Sequence, residues 1–473
     1  MTTGTTQQPH EVGNSTTAPA SASAPVTAPL TLEVEDIQRG VLRMRPMPYV
    51  ATALLLRIDT PTAGRAALGR LLPWIASAAD LSSRAGAALV SVALSYRGLQ
   101  ALGVPQASLD SFPLEFRQGM AARAGDLGDV GMNAPANWEP PLGTPQVHLA
   151  LTAVAPEQTS LEAVLAPARQ AMRGMPELAL LYRQECAAPP SGREHFGFRD
   201  GIGQPAIEGI VTPGSNPQEA PLKAGEFVLG YPDEAGALPP LPQPQVLGRN
   251  GTYVAFRKLH QNVVAFRQFL AQQSSSPAEA ELLAAKMVGR WRSGAPLALA
   301  PEHDDPELGA DMDRRNDFLY YDDDPKGIIC PLGSHIRRMN PRDQFKHELV
   351  DVRRHRVLRR GLAYGPALPE GVLADDGADR GVLFLFIGAN LGRQFEFVQT
   401  EWINQGTFIG TPAEKDPVIG PNDGTGVFTI PQQPIRRRMQ GLPQFVTVRG
   451  GEYFFLPGLR ALRWLADGEY GAD

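Results

Sequence analysis

The chain has 473 residues, 43% apolar and 20% charged, and a formal net charge of −6. This length exceeds what one hydrophobic core ordinarily organises, so two domains are expected. The acidic balance without Lys/Arg blocks excludes nucleic acid as the main partner, and no apolar run is long enough to span a bilayer.

Residues 1–30 are rich in Thr, Ser, Ala and Pro, and they read as a disordered tail without the basic and apolar regions of an export signal. Cys186 and Cys330 are the only cysteines. They form neither a disulfide framework nor a CxxC metal site, and a cytoplasmic location is expected. Strands are predicted at Tyr49–Asp59, Ala87–Tyr96, Gln146–Ala155 and Glu177–Ala187, where apolar runs are bounded by turn residues. Helices are predicted at Thr62–Leu81, from Arg97 to Gly103, and at Thr159–Met175 with Thr159 or Ser160 as the cap. This β-α-β-β-α-β order is the ferredoxin-like arrangement, an antiparallel sheet covered by helices.

A second set of elements follows. "GEFVLGY" (Gly225–Tyr231) and the start of Gly251–Gln273 read as strands, the latter running into a helix, and Ala278–Gly294 reads as another helix. Arg380–Asn390 is the most apolar strand, Leu391–Gly406 a helix, and Glu452–Gly468 a strand, turn and helix. The fold class expected is α+β, with two ferredoxin-like lobes at 31–215 and 216–473, each an antiparallel sheet flanked by helices. The 48 glycines and 44 prolines imply long irregular connections between these elements.

Three segments carry candidate chemistry. In "HFGFRDGIGQPAIEG" (His195–Gly209), Asp200 precedes Gly201; it is either a carboxylate bonding its own turn or one placed to move a proton. In "CPLGSHIRRMNPRD" (Cys330–Asp343), His335 has no second ligand at zinc-like spacing. It is either structural or the single axial ligand that a haem iron takes. In "VLRRGLAYGP" (Val357–Pro366), Arg359 and Arg360 are a solvated strand edge or a guanidinium set against developing negative charge.

Taken together, these segments resemble the dye-decolorizing peroxidase family. Further similarity runs through "NDFLYYDDDPKG", "GVLFLFIGANLGRQFEFVQTEW" and "FVTVRGGEYFFLPGLRALRWLA". The likeness covers the chain from about residue 40 onward. It implies a haem b pocket mainly in the C-terminal lobe, with His335 as the proximal ligand of the haem iron. Asp200 would shuttle the peroxide proton; Arg359 and Arg360 both lie within the family pattern for the distal arginine, only one of two neighbours on a strand can face the iron, and Arg359 is the one assigned. Gly201, Arg199 and Arg360 are the remaining candidate cofactor contacts. His195 is a candidate for a haem propionate or an exposed loop residue. Glu396, Asp343 and Asp351 are the candidate acceptors for the second nitrogen of His335.

The activity implied is reduction of H₂O₂ to water and oxidation of a bulky aromatic or dye-like donor through an oxoferryl intermediate. The alternative is a haem carrier or store with low peroxidase activity. No membrane partner is expected, and the oligomeric state, including a homodimer, stays open. Trp402, Trp291, Tyr320 and Tyr321 are candidate electron relays, each against the reading of ordinary packing. The acidic run Glu302–Asp324 is a solvated loop or a Mn²⁺ site.

Overall fold

The computed structural model describes residues 31–80, 88–347 and 350–470. The expected disordered tail, residues 1–30, lies outside the described residues. The body from Leu32 onward is one compact unit.

Ten strands form: β1 Val50–Ile58, β2 Leu89–Leu94, β3 Leu149–Ala155, β4 Leu178–Ala187, β5 Thr252–Gln261, β6 Leu358–Tyr364, β7 Gly381–Gly388, β8 Gly426–Ile430, β9 Arg437–Leu442 and β10 Val446–Leu456. Eight of them make one sheet in the order β4-β1-β3-β2-β10-β5-β7-β6, while β8 and β9 pair separately. Each half of the large sheet repeats the same order, its fourth strand first, then its first, third and second. All pairings are antiparallel, and the α+β expectation holds. The halves meet at the bridge of Phe455 to Leu94. The end strands β4 and β6 also touch, so the sheet curls towards a barrel.

Strand alternation then sorts the side chains. Val254 and Phe256 of β5 join Leu55, Leu383 and Phe454 in the inner core. Tyr253 and Ala255 point outward, onto a layer that includes Leu68, Leu161 and Leu462 from the covering helices. Those helices begin where caps permit. Thr60 accepts from the Ala63 N–H ahead of Pro61, and Ser276 accepts from Glu279 N ahead of Pro277.

Several elements differ from the sequence expectations. The helix beginning at Pro61 stops at Leu71, and Pro73 lies in a tighter turn, Leu72–Trp74. The helix from Pro277 ends at Val288 because Gly289 takes φ +95°. Residues 225–231 form no strand; their apolar side chains are buried on an irregular segment where Gly230 has φ +93°. The helix Gln158–Met172 starts after Glu157, without a side-chain cap from Thr159 or Ser160. Gly392–Glu396 and Val398–Ile403 wind as wide π-type turns in place of a regular helix.

Candidate active site

On the outer face of β5, beyond Tyr253 and Ala255, the outward residues continue as Arg257, Leu259 and Gln261. Here the covering layer leaves a cavity, lined by apolar side chains that include Leu259, Val382, Phe384, Val418, Ile419 and Val446. Asp200, Arg359 and His335 all line it, so three segments far apart in sequence meet in one place. A smaller cavity adjoins it and shares Leu259, Met339, Arg359, Ile419 and Val446.

The Asp200 loop is held by a carboxylate that sequence reasoning did not single out. Glu194 accepts from Phe196 N at 2.9 Å, Phe198 N at 2.8 Å and the Gln261 amide at 2.6 Å. Burial pushes its carboxyl up, against the pull of these donors. Gly197 (φ +95°) allows the loop to turn, and a β-carbon there would strike Arg292 Nη1 at 2.5 Å. Gly201 takes φ +79°, which lets the chain reverse just after Asp200. Gln204 then fastens the loop to β6: its amide oxygen accepts from Arg359 N and its amide nitrogen donates to Arg359 O, both at 3.1 Å.

On β6, Arg359 and Gly361 share a face. The Arg359 guanidinium donates to Gly203 O at 3.1 Å. Burial pushes its pKa down, and nearby Asp200 opposes that shift. A β-carbon on Gly361 would lie 2.9 Å from Asp200 Oδ2, so the missing side chain is the space the carboxylate uses. Arg360 corrects an expectation. Its side chain turns to the other face, donating to Gly40 O at 3.1 Å and Val41 O at 2.6 Å, and it does not line the cavity. Alternation along the strand is the cause. Arg199 and Gly201 do line it, although Arg199 donates to Gly309 O. His195 is neither a cavity residue nor exposed; it is buried, with Nε2 2.8 Å from Tyr364 O.

His335 opens the short helix His335–Met339. The arginines after it are structural staples: Arg337 donates to Cys330 O and Asp324 O, and Arg338 to Trp402 O, Gln405 O and Glu414 O. The acceptor for His335 Nδ1 is Asp416, at 2.9 Å, and none of the three expected carboxylates. Glu396 bonds Arg123 and Tyr453, Asp343 accepts from Tyr320 N and Tyr321 N, and Asp351 caps its own turn. Asp416 is fully buried, and its other oxygen accepts from Val418 N at 2.8 Å and Ile419 N at 2.9 Å. Burial raises its pKa, but His335, Arg338 and the Ile419 N–H outweigh that and leave it lowered. No spacing rule connects His335 to a partner 81 positions on; the one local sign is Asp-Pro-Val-Ile, a carboxylate opening a turn.

The same geometry tests whether a haem fits. With Nδ1 engaged, His335 Nε2 has no hydrogen-bond partner among the described residues, and the ring lines an apolar cavity. Among the described residues no group of three or more His, Cys, Asp or Glu side chains could hold a metal ion. A lone imidazole therefore suits a metal that brings its own equatorial ligands, and the residues fit a porphyrin iron. The Mn²⁺ reading of the acidic run finds no such group. There Asp304 bonds Ser293, Asp305 caps Leu308, and Asp324 accepts from Ile328 N, Ile329 N and Cys330 N. Of the expected electron relays, Trp402, Trp291 and Tyr320 are buried, which leaves Tyr321 as the partly exposed one.

Asp200 also borders the outside. An outer cleft of about 470 Å³ is lined by Met44, Arg45, Met47, Arg193, Arg199, Asp200 and Arg315. The carboxylate thus lies on both the cleft and the cavity, with Arg45 Nη2 4.0 Å from Oδ2.

Residues 36–175 match the family model described as the DyP dimeric alpha+beta barrel domain. The chain is 32% identical to Peroxidase 2 of Mycetinis scorodonius, over 94% of this chain and 89% of that one. It is also 32% identical to a dye-decolorizing peroxidase of Auricularia auricula-judae, with the same two coverages. Among solved structures, a dye-decolorizing peroxidase in complex with 2,6-dimethoxyphenol superposes with a TM-score of 0.79 at 29% identity, covering 92% of this chain and all of that one.

Proposed function

The chain belongs to the dye-decolorizing peroxidase family, and on that premise we propose that it is a haem-dependent peroxidase that reduces H₂O₂ and oxidises aromatic or dye-like donors. The observation that carries the reading is the placing of His335, braced by Asp416, in one cavity with Asp200 and Arg359. We assign haem b as the cofactor: His335 would hold its iron, and Leu259, Val382, Phe384 and Ile419 would be among the apolar walls around it. Haem iron, when bound, supplies the electrons that cleave peroxide and later recovers them from the donor.

The chain's own residues supply the rest. Asp416 holds the proton of His335 on Nδ1, fixes the ring's tautomer and leaves Nε2 as the basic atom. Asp200, bordering both cleft and cavity, meets peroxide as it enters, takes the proton from one oxygen and returns it to the other. Arg359 stays protonated and is fixed by Gly203 and by β6, so its charge is in place before negative charge develops on the peroxide. The apolar walls exclude water from that charge.

The test is an absorption spectrum of the haem-loaded protein before and after one equivalent of H₂O₂, with His335→Ala beside it. A Soret band that responds to peroxide, lost or disordered in His335→Ala, fits the proposal. A Soret band that peroxide leaves unchanged makes the protein a haem carrier.

A further inference from the structure

Asp200 accepts no hydrogen bond among the described residues, its own turn included, so something other than a hydrogen bond must hold its carboxylate in place. The strand beside it shows what does. β6 ends the large sheet and pairs only with β7, which leaves one edge without a ladder partner among the described residues. Gln204 takes both backbone groups of Arg359 on that edge. The next two positions of the same alternation are taken by the segment before β1: Arg45 Nε donates to Gly361 O at 2.8 Å, and Tyr49 Oη accepts from Ala363 N at 2.7 Å. The Arg45 guanidinium lies over the Tyr49 ring, 4.3 Å from its centre, and its Nη1 donates to Met47 Sδ at 3.0 Å. With Nε and Nη1 engaged the planar fork is fixed, and Nη2 is the nitrogen left to face Asp200 Oδ2, at 4.0 Å. Gly361 thus places both partners: its carbonyl holds the guanidinium, and its missing side chain leaves the space for the carboxylate.

We propose that Arg45 is the positioning residue of Asp200, holding the carboxylate by charge in the space at Gly361. Arg45 lines the outer cleft and not the cavity, Arg359 lines the cavity and not the cleft, and Asp200 lines both. The carboxylate therefore sits between two cations, one on each side of the boundary it occupies. The Arg45 side chain is only 11% exposed, so its charge is weakly screened. A separation of 4.0 Å is too long for a hydrogen bond. The guanidinium thereby fixes the carboxylate without occupying the lone pairs that must take a proton. The inference rests on the proposed peroxidase reading for the use made of Asp200, and the pairing itself does not depend on it.

The test places Arg45→Gln and Arg45→Lys in the wild-type and the Asp200→Asn backgrounds, and reads the rate of the haem-loaded protein with H₂O₂ beside the melting temperature of the full chain. Arg45→Gln keeps a donor for Gly361 O and loses the charge. It is expected to slow the peroxide step about 10-fold in the wild-type background, the cost of a misplaced group. With Asp200→Asn already present it should cause no further loss, since the two changes act on one interaction. Arg45→Lys keeps the charge and should restore most of the rate. Melting, with or without haem, should fall more on Arg45→Gln when Asp200 is present than when it is Asn. Should Arg45→Gln fail to fold, Arg45→Met carries the same expectations. Equal rate losses in the two backgrounds, a Lys variant as slow as the Gln variant, or additive losses in melting would make Arg45 a brace of the strand edge and overturn the proposal. Coupled melting in a protein that takes up no haem keeps the pairing and refutes the haem reading alone.

Discussion

Asp200 occupies the space that a side chain on Gly361 would fill: a β-carbon there would lie 2.9 Å from Asp200 Oδ2, two residues along β6 from Arg359. The strand thus supplies a cation at one position and an empty place for the carboxylate at the next position on the same face. Gly361→Ala is expected to displace the carboxylate while the fold survives, because the tip of a side chain moves more readily than backbone. The rate of reaction with H₂O₂ should fall by about 10²-fold, the scale of a lost general base. Stopped-flow absorbance measures the rate, and an unchanged rate with an unchanged melting temperature contradicts this role for the space.

Arg359 and Arg360 should separate cleanly. Arg359→Leu is expected to slow the peroxide step by about 10²- to 10³-fold, the effect of losing one preorganised donor. Arg360→Leu removes hydrogen bonds to Gly40 O and Val41 O on the other face. It should cost about 1–3 kcal/mol of stability and leave the peroxide step unchanged. Denaturant melts beside the kinetics give both readouts.

Asp416→Asn removes the charge that opposes the His335 ring while keeping an oxygen near Nδ1. Haem affinity or activity should fall by about 10- to 100-fold, as for other partners of metal-bound histidines. The iron's reduction potential should rise, since a less basic imidazole stabilises the ferric state less. A potential equal to that of wild type contradicts the assignment.

Glu452 sets a pH dependence of stability. Burial, opposed by the N–H groups of Tyr453 and Met120, pushes its pKa up to about 7. The folded state therefore holds a proton that the unfolded chain releases near its ordinary value, so this contribution to stability is full below that value. It is lost as pH rises towards about 7, by on the order of 2 to 3 kcal/mol. Melting temperature should fall between pH 5 and 8, and Glu452→Gln should flatten that slope.

Much of this site was legible in the chain because its residues sit in compact motifs. Asp200 lies between glycines that turn the loop, and His335 follows a Pro/Gly-containing stretch. Strand alternation showed that only one of Arg359 and Arg360 could face the cavity, and it took the packing of β6 to show which. What escaped were partners chosen by tertiary packing. Asp416 reaches His335 from a separate loop, and Glu194 and Gln204 look like ordinary polar residues until β5 and β6 lie beside them. Among the aromatic candidates, the packing alternative holds for Trp402, which packs with Phe397, His355 and Phe408. The strand expected at 225–231 failed because an apolar run without a period records burial and does not record conformation.

Whether His335 and Asp200 act in one cavity is measured by stopped-flow mixing of the haem-loaded protein with H₂O₂ for wild type, Asp200→Asn and His335→Ala. Wild type is expected to show a fast change in the Soret band, Asp200→Asn the same change slowed by about 10²-fold or more, and His335→Ala no ordered Soret band. An Asp200→Asn protein that reacts at the wild-type rate, or a His335→Ala protein with the wild-type spectrum, would contradict their joint action.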